Sequence, residues 1–227
     1  MSIVHGVNKN HYVNQALAKT AVLISVMALS VSALATVGGG QRIEILGYDK
    51  AEQKVFVLRH YDDGRGRLPQ LYYYDLSNKN PEKLVEVRSL YINPKTKKYD
   101  EFEDSGGRFS KELKQIKNRV VALKPTYTQV RVQVESLRQQ KKSNLQSWLG
   151  EIGQGTEYQF NYKLHADEAK YSSPVHSATA YSVCLTSDNV IYKVPNQPYA
   201  LSTVKYKGTL MEGGYDYQDA VLLQQTK

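Results

Sequence analysis

One cysteine, Cys184, stands in a chain of 227 residues. No internal disulfide is available, so the fold must rest on its apolar core. Cys184 falls in Ala180-Tyr181-Ser182-Val183-Cys184-Leu185, read here as a strand, which predicts burial as a small hydrophobe. Histidine is scarce too: after residue 35 only His60, His165 and His176 remain. His60 lies near Asp62 and Asp63, and His165 near Asp167 and Glu168, but neither group has the spacing of a metal motif. There is no G-x-S-x-G elbow, and neither Gly38-Gly39-Gly40 nor Gly64-x-Gly66 leads from a strand into a helix with the lysine of a phosphate loop. None of the eleven Asn residues is followed by x-Ser or x-Thr, so no N-glycosylation acceptor is offered. No apolar run reaches the roughly 20 residues that span a bilayer.

What is present begins at the amino end. Lys9 and Lys19 are the only charges before residue 36, and an unbroken small and apolar run follows from Ala21 to Leu34. Ala33-Leu34-Ala35 then supplies small residues at both positions a signal peptidase reads. A positive start, a short apolar core and an A-x-A site predict a secretory signal, residues 1–35, cleaved before Thr36. The expected address is periplasmic or secreted, with bacterial export favoured and no transmembrane span after cleavage. Without the two signal lysines the charge falls from +8 to +6. A basic exported chain suits an anionic envelope polymer or another envelope protein as partner. Nucleic acid is not expected, and nothing in the chain implies a cofactor.

Tyrosine is the compositional excess, 18 residues against four Phe and one Trp. Tyr fits half-buried sheet surfaces, with an apolar ring and a polar tip. Alternation predicts strands at 42–48, 54–61, 70–76 and 84–91, joined as a meander. Residues 93–107 read as a loop carrying Lys95, Lys97 and Lys98. Phe109, Leu113, Ile116, Val120 and Leu123 recur at helical spacing, which predicts an amphipathic helix over 109–123 stopped by Pro125. A strand over 126–136 follows, then a polar, basic stretch to Asn144. Leu145, Trp148, Leu149 and Ile152 predict a short helix over 144–152, ended by Gly153 and Gly155. Strands are expected at 157–165, 179–186, 189–194, 201–210 and 217–223, with Ser187-Asp188 turning a hairpin.

Residues 42–91, in the order GYD, KVFVLRHY, LYYYDL, resemble a single blade of a β-propeller. A closed propeller needs at least four blades, and no second copy occurs at a fixed period. The expected fold is therefore α+β and β-rich, one domain over 36–227 with about ten antiparallel strands and two helices, and a subdivision point near 153–156. Function is expected to be non-enzymatic binding or support of an anionic or glycan envelope component. Lys95, Lys97, Lys98, Lys141 and Lys142 are the candidate contacts, with Tyr72 and Tyr74 as stacking surfaces. The alternatives are an envelope hydrolase and a structural or assembly protein. A cavity uniting two or more of His60, His165, Asp62, Asp167 and Glu168 would mark the enzyme. A flat or grooved Tyr and Lys surface would mark the binder.

Overall fold

The computed structural model describes residues 39–147, 150–208 and 214–226, within the compact unit Thr36–Lys227. The predicted signal lies outside the described residues, as do Trp148, Leu149 and residues 209–213. The described chain is β-rich, with thirteen strands rather than ten, one α-helix and two 3-10 turns. None of its helices is long and apolar enough to cross a membrane.

The first sheet is an antiparallel meander of β1 (Gln41–Asp49), β2 (Lys54–Tyr61), β3 (Gln70–Asp75) and β4 (Leu84–Glu86). β2 is apolar on both faces because both are covered. Val55 and Val57 point with Tyr74 into one core, and Phe56 and Leu58 with Leu71 into another. The register slips between Ile45 and Gly47. Gly47 sits at φ 141°, where a Cβ would lie 2.6 Å from the Val121 carbonyl oxygen, so the bulge requires glycine. The expected fourth strand over 84–91 stops at Glu86 and turns into a 3-10 segment, Arg88–Tyr91. Burial of Tyr91 explains the turn: its hydroxyl donates to the Pro69 carbonyl and accepts the Leu71 N–H, both at 2.7 Å.

Helix α1 (Arg108–Arg119) covers the outer face of this sheet with Phe109 and Ile116 buried. Asp104 caps it from before the Gly106-Gly107 pair, its carboxylate accepting the Phe109 N–H at 2.8 Å and the Ser110 N–H at 3.1 Å. The helix ends at Arg119, short of the expected residue 123, because Val120 and Val121 are extended, and Val121 bridges Tyr48. Arg119 then reaches the buried Asp49, its Nε donating at 2.6 Å.

The second sheet has nine strands. Its main path runs β5 (Lys124–Tyr127), β11 (Val190–Lys193), β12 (Tyr199–Lys207), β13 (Asp216–Gln225), β8 (Tyr171–Ser172), β7 (Gly150–Ala166), β6 (Arg131–Ser147). Two short strands join from the side: β9 (His176–Ala180) pairs with β7, and β10 (Thr186–Ser187) with β12. The two-residue β8 makes the corner, so Phe160, Tyr162 and Leu164 of β7 pack against Ala200, Val204, Val221 and Leu223. The opposite face of β12 and β13 offers Leu201, Ala220 and Leu222 to the first sheet. The layers are thus helix, first sheet, β11–β13, and β7 with β9.

Four expectations are corrected here. The helix over 144–152 does not form: residues 144–147 and 150–152 lie in a long β6–β7 ribbon, with Leu145 opposite Gly153 and Ser147 opposite Gly150. The ladder begun at Arg131 and His165 carries the pairing outward and overrides a local helical spacing. Residues 153–156 accordingly lie inside β7. Ser187-Asp188 turns no hairpin: β10 and β11 both pair with β12, end to end, with Asn189 at φ 53° between them. Cys184 is exposed, in irregular chain that follows a bend after β9 rather than in a strand. β9 ends at Ala180 although β7 continues to Gly150, because the Tyr181 N–H turns to the Lys207 carbonyl at 2.8 Å.

Candidate functional site

The expected contact residues are carried by different layers. Lys95, Lys97 and Lys98 are all exposed on a turn that follows the first sheet. The turn is held by the Asn93 side chain, which accepts the Lys95 N–H at 2.9 Å, and closed where Ile92 bridges Tyr99. Lys141 and Lys142 sit on β6, where Lys142 pairs with Glu157 at 3.6 Å. The two tyrosines face the other way. Tyr72 is half-buried beneath the Arg59 guanidinium, and its hydroxyl donates to Gln70 at 2.8 Å. Tyr74 is 1% exposed and never reaches the surface. Its hydroxyl donates to the Ala220 carbonyl at 2.8 Å and accepts the Leu222 N–H, both on β13. Neither tyrosine offers a stacking surface.

The histidines and acids considered as catalytic candidates do not converge. His60 bonds Glu44 at 2.8 Å, and Asp167 bonds Arg131 at 3.4 Å. Among the described residues no three His, Cys, Asp or Glu side chains form a group able to hold a metal ion.

Two concavities gather polar groups instead. The first lies on the outer face of β6, β7 and β9, a hollow of about 380 Å³ lined by Ser136, Arg138, Gln159, Asn161, Ser177 and Thr179. Strand alternation builds it. Arg138 stands opposite Gln159, Ser136 opposite Asn161, and Asn161 opposite Ser177, so all point away from the core that takes Phe160 and Tyr162. The Asn161 amide orients the floor: its NH2 donates to the Ser136 hydroxyl at 2.9 Å, and its carbonyl oxygen accepts from Ser177 at 2.7 Å. No carboxylate pairs with Arg138 among the described residues. A planar cation set among neutral hydroxyls and amides suits an anionic group flanked by further hydrogen-bonding groups.

The second is a partly open cleft beside β13. Because β13 meets β8 only at Gln224 and Gln225, its preceding residues have no strand neighbour on that side. A cavity of about 190 Å³ opens there, lined by Arg59, Tyr74, Glu82, Tyr162, His176 and Asp219. Arg59 donates to Asp219 at 2.5 Å, and the Tyr206 hydroxyl donates to the other Asp219 oxygen at 2.6 Å. Burial pushes the Tyr206 and Tyr162 hydroxyls above the ordinary phenol range, with the Asp219 charge adding to it. Burial pushes the His176 imidazole down against the opposing pull of Asp219 and Glu82, so it is neutral near pH 7. His176 Nε2 and Arg59 Nε are buried without hydrogen-bond partners. Among the described residues no nucleophile lies within hydrogen-bond distance of His176 Nε2. Its visible work is to fasten the first sheet to β13.

Sequence reasoning passed over Arg138, Arg59, His176 and Asp219. A signal existed for two of them. Arg59 interrupts the apolar alternation of KVFVLRHY, and Asp219 interrupts that of the last strand. An ionisable group at an interior strand position needs a partner, but which partner depends on how the sheets stack.

No known protein family matches the chain, and no match is found among curated proteins or solved structures.

Proposed function

We propose that this chain is an exported, non-enzymatic protein that binds an anionic, hydroxyl-rich polymer of the cell envelope on the outer face of β6, β7 and β9. The observation that carries the reading is Arg138, a guanidinium without a carboxylate partner among the described residues, in a hollow of otherwise neutral groups. Its fork matches a carboxylate or phosphate bidentately. Ser136, Gln159, Asn161, Ser177 and Thr179 supply hydroxyls and amides for neighbouring sugar or glycerol hydroxyls. Lys141 and Lys142 extend the positive charge along the ribbon, and Lys95, Lys97 and Lys98 form a second basic group. Export rests on the pattern of residues 1–35, and amino-terminal sequencing of the exported form should begin at Thr36.

The test of binding is co-sedimentation with purified envelope fractions at low and high salt. Wild type is compared with Arg138→Gln and with a variant carrying the five lysines as Gln. Exposed charge attraction is screened over about 8 Å at physiological salt, so binding should fall as salt rises, and Arg138→Gln should weaken it most per residue changed. Binding indifferent to both salt and substitution rejects the reading. Breakdown of the envelope material, rather than retention of it, would replace it with the hydrolase alternative.

A further inference from the structure

β6 is the outermost strand of the second sheet and pairs with β7 alone. At its start the edge is closed: the Val130 N–H donates to the Asn189 side chain at 3.0 Å, and the Ser187 hydroxyl donates to the Val130 carbonyl at 2.6 Å. From Val132 onward no strand lies along its outer side among the described residues. An antiparallel strand turns alternate backbone groups to each side, so a row of N–H and C=O groups faces solvent.

The edges at β4, β5 and β1 are blunted. β4 has three residues, and β5 has four including Pro125. β1 is tied to Val121 by reciprocal 2.9 Å backbone bonds from Tyr48, and the Ile43 N–H donates to Gln218 at 2.9 Å. Among the described residues β6 has no such cover; it runs 17 residues and contains no proline. A long open edge of this kind is a template for strand addition.

Its side chains say what would fit. Val132, Val134 and Leu137 stand opposite Leu164, Tyr162 and Phe160, on the core-facing side. Val132 packs against the core, whereas Val134 is 46% and Leu137 48% exposed, an apolar ladder lacking its outer neighbour. The opposite side presents Arg131, Arg138 and Lys142. Between 131 and 142 the strand carries Arg131, Arg138, Lys141 and Lys142 against one acid, Glu135, itself held by Lys163 at 3.7 Å. Exposed Arg131 also reaches Asp167 at 3.4 Å and Lys142 reaches Glu157 at 3.6 Å, so Arg138 and Lys141 are the cations without a carboxylate partner among the described residues. A second copy would bring the same cations against themselves, and the register break between Val134 and Ser136 further disfavours self-pairing.

We infer that the β6 edge, from Val132 to about Gln140, takes an extended segment of an acidic partner protein in which apolar residues alternate with carboxylates. The apolar side of that segment covers Val134 and Leu137, and its acids meet Arg131 and Arg138. This inference does not rest on the polymer-binding reading.

The probe is a synthetic decapeptide alternating Val and Glu, with an alternating Val and Lys peptide as control. Anisotropy should show binding of the acidic peptide alone. Amide exchange should slow at alternate residues of β6 when it is bound. Val134→Glu with Leu137→Glu should bind about tenfold more weakly, losing cross-strand apolar pairs and adding repulsion. Both positions are half-exposed, and a matching far-ultraviolet spectrum establishes that the variant is folded. If it is not, exchange in the wild type decides alone. Equal binding of both peptides, no slowing in β6, or a dimer of the chain that itself protects β6 would overturn the inference.

Discussion

At the scale of single residues, two buried tyrosines serve the backbone. Tyr91 bonds both Pro69 and Leu71, and Tyr74 bonds both Ala220 and Leu222. Each hydroxyl donates to a carbonyl and accepts an N–H where a strand lacks a neighbour, a two-way role that phenylalanine cannot fill. Tyr74→Phe should therefore leave buried β13 groups unpaired, at a cost of about 1–3 kcal/mol, measurable by denaturant unfolding. His176 gives a second residue-scale prediction. Its folded pKa lies below the ordinary histidine value because of burial, while Arg59, Tyr162, Asp219 and Glu82 share its cavity. Below about pH 6.5 the unfolded chain takes up a proton that the folded chain resists, so stability is full above that pH and declines as pH falls. His176→Asn should flatten this decline below about pH 6.5. An unchanged slope would place the pH dependence elsewhere.

At the scale of elements, α1 and the β6–β7 ribbon illustrate opposite outcomes of the same periodicity. The spacing of Phe109, Leu113 and Ile116 has an apolar sheet face to bury against, and the helix forms. The spacing that begins at Leu145 falls on a ladder already under way, where Leu145 stands opposite Gly153 and Ser147 opposite Gly150. Helical stability comes from packing of the apolar face more than from propensity. Ile116→Ala should accordingly cost about 2–5 kcal/mol, while Lys114→Ala, on the exposed side, should barely move the unfolding midpoint. Similar small shifts in both would mean that the helix contributes little to the core.

At the scale of the whole molecule, the Arg59–Asp219 pair joins the first sheet to the second across 160 residues of sequence. Side chains of both residues are about four-fifths covered. Removing one partner of a buried pair strands the other charge, so Arg59→Met or Asp219→Leu alone should cost about 3 kcal/mol or more. The double variant should be less destabilised than the sum of the two, and a thermodynamic cycle from denaturant midpoints measures that coupling. Strict additivity would show that the pair does not fasten the sheets. The same stacking opens the cleft beside β13, because the second sheet turns at β8 and leaves the β13 residues before Gln224 without a strand partner on that side among the described residues.

Composition and pattern by themselves determined the β-rich class, the antiparallel meander over residues 42–86, the amphipathic helix near 109–119 and the cleanest strand, Glu157–His165, within β7. Each depends on local periodicity, which a linear chain displays in full. Tertiary structure alone decided the rest. It stopped the predicted strand at Glu86 because Tyr91 turns inward, and it made a ribbon of residues predicted to be helical. It exposed Cys184 by ending β9 where the Tyr181 N–H turns to the Lys207 carbonyl, and turned Tyr72 and Tyr74 inward. It also placed Arg138 among Ser136, Asn161 and Ser177, and Arg59 beside Asp219. The physical reason is common to all of these. Alternation says that a side chain lies on one face or the other, but only the stacking of sheets and the ends of strand ladders decide which face meets a core, which meets water and which remote residue stands opposite.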